Sequence, residues 1–200
     1  MAVVRGVKEK VHLALYDAEK FSSKHAVKDQ ITGNTIKFFV NVQNKTKLET
    51  NQQEASVLSH YNTYEARTLR VIIEPLNGVI TGSPEDNKEF LTNFIYNSVT
   101  TFFVGEKIMI QAPTWMFPSG AGEANNSGST HGLASPEATF RFAEPVHVDS
   151  QQNFRVEIEF PHGTNVLGDA QPEDLEKDPF MEGFSRVWVL VDGYLTRDVQ

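Results

Sequence analysis

Residues 153–160 read NFRVEIEF: Phe154, Val156, Ile158 and Phe160 fall at every second position, with Arg155, Glu157 and Glu159 between them. A period of two belongs to a strand with one face in a core and the other in water. The pattern recurs outward. Residues 11–18 (VHLALYDA) set Val11, Leu13 and Leu15 against His12, Ala14 and Tyr16. Residues 34–44 (NTIKFFVNVQN) set Ile36, Phe38, Val40 and Val42 against Lys37, Phe39, Asn41 and Gln43. Residues 64–75 read as a strand closed by Pro75, Asn77 and Gly78. Residues 100–113 read as a strand interrupted at Gly105, where a bulge or bend is expected. Residues 46–63 are polar and rich in Gln and Asn, and fit either a loop or a short helix.

Immediately before the opening run, residues 138–148 carry Phe140 and Phe142, then Val146 and Val148, offset across Pro145. The short link 149–152 (DSQQ) predicts that this strand and 153–160 form an antiparallel pair. Near the C-terminus, residues 187–191 are continuously apolar, as in a strand buried on both faces or at an oligomer contact. Asp192-Gly193 follows, a two-residue hairpin signal.

One segment reads as helix. Ser83 can cap an orphan N–H, Pro84 suits the first helical position, and Glu85 and Asp86 suit the positive end of the dipole. Phe90, Leu91, Phe94 and Ile95 then form an apolar stripe, which predicts a helix over 84–98 covering one end or face of a β core. Short strands, one inserted helix and no βαβ alternation predict an all-β fold. The chain is read as a single domain over 1–200: an antiparallel β-sandwich of the jelly-roll kind, with about eight strands. Unequal loops and the missing Cys…Trp…Cys pattern argue against an immunoglobulin sandwich.

Composition narrows the chemistry. The 200 residues contain no cysteine, so disulfides, thiolate catalysis and Cys-ligated metals are excluded. The net charge is −8, and the scattered Lys8, Lys10, Lys20, Lys24 and Lys28 are interleaved with Glu9, Asp17, Glu19 and Asp29. No direct nucleic-acid contact is expected. No apolar run suits a signal peptide or a membrane span, so synthesis in a cytoplasm is expected.

Motifs of catalysis are missing. The six histidines form no HxH or HExxH arrangement. A cupin-like metal site would have to draw on His147, His162 and Glu157 or Glu159, without the expected spacing. Glu157 and Glu159 share one strand face as routine solvent charges rather than a glycosidase pair. The acidic run 169–178 lacks the order of an EF-hand, and no GxSxG or phosphate-binding glycine loop occurs. No catalytic residue, metal ligand or cofactor is expected.

The remaining feature is a long loop, 114–140 (TWMFPSGAGEANNSGSTHGLASPEATF). Loops of this length are usually functional or disordered. Trp115, Met116 and Phe117 should pack beneath it or on a neighbour.

Taken together, the Phe- and Val-rich strands, the helix at 83–98, the long polar loops, the lack of cysteine and the apolar strand near the C-terminus make the chain resemble single jelly-roll capsid or vertex proteins of icosahedral viruses and phages. The resemblance lies in organisation over most of the 200 residues, not in a residue motif. It implies a virion structural protein, made in the host cytoplasm, that forms homo-oligomers and meets other virion proteins. The chain departs from genome-lining capsid proteins in lacking a strongly basic arm. On this reading Trp115, Phe117 and Trp188 anchor the interface or lie just beneath it, since aromatics dominate such contacts. The alternative is a carbohydrate- or receptor-binding sandwich, with Trp115, Asn125 and Asn126 meeting a sugar. An enzyme or metal cupin is the third reading.

Overall fold

The alternation at 153–160 becomes strand β9 (Phe154–Glu159), with Phe154, Val156 and Ile158 buried and Arg155 and Glu157 on the opposite side. The structure, a computed structural model, describes residues 8–22, 35–59, 61–73, 92, 94–118, 121–122, 133–134, 138–162 and 184–198. Its other strands are β1 (Lys8–Ser22), β2 (Thr35–Phe38), β3 (Thr63–Ile73), β4 (Val99–Val104), β5 (Lys107–Pro113), β6 (Ala121–Gly122), β7 (Leu133–Ala134), β8 (Phe140–Val148) and β10 (Phe184–Asp198).

Two four-stranded antiparallel sheets result, ordered β1-β10-β3-β8 and β2-β9-β4-β5, and β6 and β7 form a small separate ribbon. Outside that ribbon the pairing is nested. The first strand pairs with the last, β2 with β9, β3 with β8, and β4 with β5.

The sheets close on one core. Leu15, Leu69, Val187, Val189 and Val191 line it from the first sheet, and Phe38, Phe102, Val156 and Ile158 from the second. Phe102 on β4 stacks on Phe142 on β8 across the gap, with ring centroids 6.4 Å apart. Inner faces that interdigitate over one core make a β-sandwich. Tyr64, on β3, keeps its hydroxyl inside this core by donating toward the carbonyls of Leu13 (2.6 Å) and Val191 (2.7 Å).

Five sequence expectations change. Asp192-Gly193 is no hairpin: β10 runs straight through it, with a bulge against β3 at that point. Glycine is needed there for close backbone approach, not for a turn. The 187–191 run is buried on one face only, since Val187, Val189 and Val191 are in the core while Trp188 and Leu190 keep partial exposure.

Residues 100–113 are two strands, not one bent strand. Gly105, at φ 60°, opens a two-residue connection between β4 and β5, the position a II′ hairpin reserves for glycine. β8 and β9 do not pair. The 149–152 link, with Gln151 at φ 64°, carries the chain from one sheet to the other. β2 ends at Phe38, because Phe39 takes φ 69° and its N–H leaves the ladder for the Asp17 carboxylate, at 2.6 Å. Phe38 and Phe39 are therefore both buried.

Residues 46–59 form turns and bends rather than a helix. Of the helix expected over 84–98, Thr92, Phe94, Ile95 and Tyr96 are described and helical, while 84–91 lie outside the described residues. So do His25, His60, His131, Lys24, Lys28, Asn125, Asn126, most of the 114–140 loop centre and the acidic run 169–178.

Candidate functional site

Exposed sheet edges invite pairing with another chain, and folded proteins generally cover or blunt them. In this fold β1, β8, β2 and β5 are the edge strands. The outer edge of β1 is covered over residues 14–17. Asn51 accepts from the Tyr16 N–H (3.0 Å) and donates to the Ala14 carbonyl (2.7 Å), and Thr50 donates to the Tyr16 carbonyl (3.1 Å). A buried ion cluster holds this covering segment in place. Lys45 Nζ lies 2.9 Å from Asp17 Oδ1 and 2.6 Å from Glu19 Oε1. Burial pushes the Glu19 carboxyl above its usual range, against the opposing pull of Lys45. The β2 edge is four residues long, with Lys37 pointing outward.

β5, like β8, pairs on one side only among the described residues, and five of its seven residues are exposed. Phe102 pairs with Ile110 and Phe103 with Ile108, so Met109 is an extra residue, a bulge. The bulge shifts the alternation by one. Ile110 packs toward the core with Phe102, while Ile108 is turned to the outer face beside Phe103. Ile108 is left 54% exposed and Met109 42% exposed. The Arg155 guanidinium lies over the Phe103 ring at 4.2 Å and borders this apolar spot. The strand carries Lys107 and no acid.

At its far end β5 runs into a 3₁₀ turn (Thr114–Met116), anchored by buried hydroxyls: Ser98 Oγ lies 2.7 Å and Thr100 Oγ1 2.9 Å from Thr114 Oγ1. This turn separates the expected anchors. Trp115 points outward at 53% exposure, and Tyr96 is 69% exposed. Phe117 is fully buried, packed edge-on against Phe140 at 4.9 Å, and its carbonyl accepts from the Val71 N–H. Trp188 lies on the outer side of the other sheet. Its indole N–H donates to the Leu48 carbonyl at 3.1 Å, and Arg186 lies over its ring. The three residues do not form one surface.

Sequence reasoning missed Ile108 and Met109. The readable signal was Gly105-Glu106 as a two-residue turn, which makes residues 107–113 a separate, terminal strand of the sheet.

The residues nearest to a metal set are kept apart. His147 is exposed on β8 in one sheet, whereas Glu157 is on the outer face of the other, held by Arg155 at 2.8 Å. Among the described residues no three His, Asp or Glu side chains gather as a metal ion requires. Also among them, no helix is long and apolar enough to cross a membrane. No protein-family model and no curated protein sequence matches the chain.

Proposed function

We propose that this chain is a jelly-roll structural subunit of a virion, a capsid or vertex protein that assembles with copies of itself and with other virion proteins. Support for the jelly roll comes from the nested pairing. A long antiparallel hairpin wrapped into two sheets pairs first strand with last and works inward, which is the relation among the eight principal strands. Support for assembly comes from one observation above all: the bare β5 edge, with Ile108 and Met109 outward and Trp115 at its end.

The occupant of that edge is a second copy of this chain. A chain of net charge −8 repels its own copies over most of its surface, but the segment Lys107–Pro113 carries no acid. Strand addition would satisfy its outward backbone groups, and Ile108, Met109 and Trp115 would supply apolar contact.

Light scattering coupled to size exclusion on the purified chain tests this. The reading predicts a concentration-dependent mass of several subunits. A fixed mass of 22.4 kDa at every concentration would remove its support.

A further inference from the structure

A groove of about 470 Å³ opens on the outer face of the β1-β10-β3-β8 sheet, with His12, Arg67, Arg141, Pro145, Asp192 and Tyr194 among its lining residues. Its origin is a double irregularity. Across from β10, Thr68 pairs with Asp192 and Ala66 with Gly193. Across from β8, Thr68 pairs with Arg141 and Ala66 with Val146. Arg67 is therefore left out of both ladders, and β8 bows outward over residues 142–145, where Pro145 has no N–H to give.

We infer that this groove binds a small anionic saccharide, one or two rings carrying a sulfate or a carboxylate. Charge is the first reason. Among the lining side chains Arg67 and Arg141 face one carboxylate, Asp192, an excess of one positive charge on a chain of net charge −8, and Lys10, Glu65 and Arg70 stand beside them.

Both carboxylates are already occupied. Arg70 grips the two oxygens of Asp192 at 2.8 and 3.0 Å and Thr68 donates to one of them, while Lys10 and Arg67 both hold Glu65. Arg141 is exposed and has no hydrogen-bond or ion-pair partner among the described residues. A planar guanidinium in this position suits a two-point grip on sulfate or carboxylate.

Order is the second reason. Tyr194 gathers the cations, with Lys10 Nζ 4.8 Å and the Arg67 guanidinium 5.0 Å from its ring centroid, and His12 packs against it at 5.6 Å. Size and wall chemistry are the third. The volume exceeds that of a lone inorganic anion and falls in the range of small-ligand sites. Ala143 and Pro145 give an apolar wall for the C–H face of a sugar ring. The inference does not depend on self-assembly.

Calorimetric titration tests it, using a heparin-derived disaccharide, sialyllactose, neutral lactose and inorganic sulfate. At least one charged saccharide should bind at millimolar concentration or below, more tightly than lactose or sulfate, and which one binds identifies the anionic group. Arg141→Ala and Arg67→Ala should each weaken that binding about tenfold or more, with unchanged circular dichroism. The inference is overturned if neither charged saccharide binds at millimolar concentration, if lactose or sulfate binds as tightly, or if both variants bind like the parent chain.

Discussion

The Gly193 backbone lies against that of Glu65, so that a Cβ at position 193 would sit 2.0 Å from the Glu65 carbonyl oxygen. No rotamer change relieves a clash with backbone. Gly193→Ala should therefore destabilise the fold by about 2–4 kcal/mol, lowering the midpoint of thermal unfolding by roughly 5–15 °C. Calorimetry or thermal circular dichroism reads this directly, and an unchanged midpoint would mean that the strands are not so closely apposed.

Asp17 is fully buried and depends on Lys45. Lys45→Met strands that carboxylate and should destabilise the protein by about 3–5 kcal/mol, whereas Lys45→Met combined with Asp17→Asn should lose markedly less. Urea unfolding of the three proteins makes the comparison. Glu19 adds a pH dependence. Its carboxyl is raised in the folded state, so its favourable contribution is present below the unfolded pKa and is lost as pH rises. Relative to Glu19→Gln, the parent chain should lose stability as pH rises above the ordinary carboxylate range.

The Tyr64 hydroxyl joins β3 to the backbones of β1 and β10. Tyr64→Phe should lose about 1–2 kcal/mol at neutral pH. Burial pushes the phenol well above its ordinary value, so the folded form resists ionising where the unfolded chain does not. That contribution is complete below about pH 10 and is lost above it. The gap between Tyr64→Phe and the parent chain should therefore narrow in alkali, as chemical unfolding at neutral and alkaline pH would show.

Trp115 and Phe117, two residues apart, should respond oppositely to truncation. Phe117→Ala empties a core site and should cost about 3–5 kcal/mol. Trp115→Ala should change stability by less than about 1 kcal/mol and instead weaken self-association. Equal effects of the two on unfolding would contradict the outward placement of Trp115.

Much of the sandwich was legible in sequence, because half-buried strands alternate and β9, β3 and β1 do so plainly. Reading failed where local chemistry has two outcomes. Asp-Gly marks a tight turn when its ends are free, but in β10 the strand is held on both sides by β1 and β3, and the glycine serves their close approach. The link at 149–152 is short enough for a hairpin. Only the sheet order shows that it crosses between layers. Phe39 breaks the period of two because Asp17, 22 positions earlier in sequence, takes its N–H, and no local window contains both. The β5 surface was hidden for a related reason: one bulge at Met109 turns Ile108 from the core to solvent. The groove was not legible at all, since it needs side chains from four strands.

Self-association through the β5 edge is tested most directly by the mass in solution of Ile108→Lys/Met109→Lys beside that of the parent chain, at matched concentration. Both side chains are exposed, so the fold should persist. The account predicts an unchanged circular dichroism spectrum, a parent chain of several subunits and a variant reduced to the monomer. A variant that assembles as the parent does would contradict it.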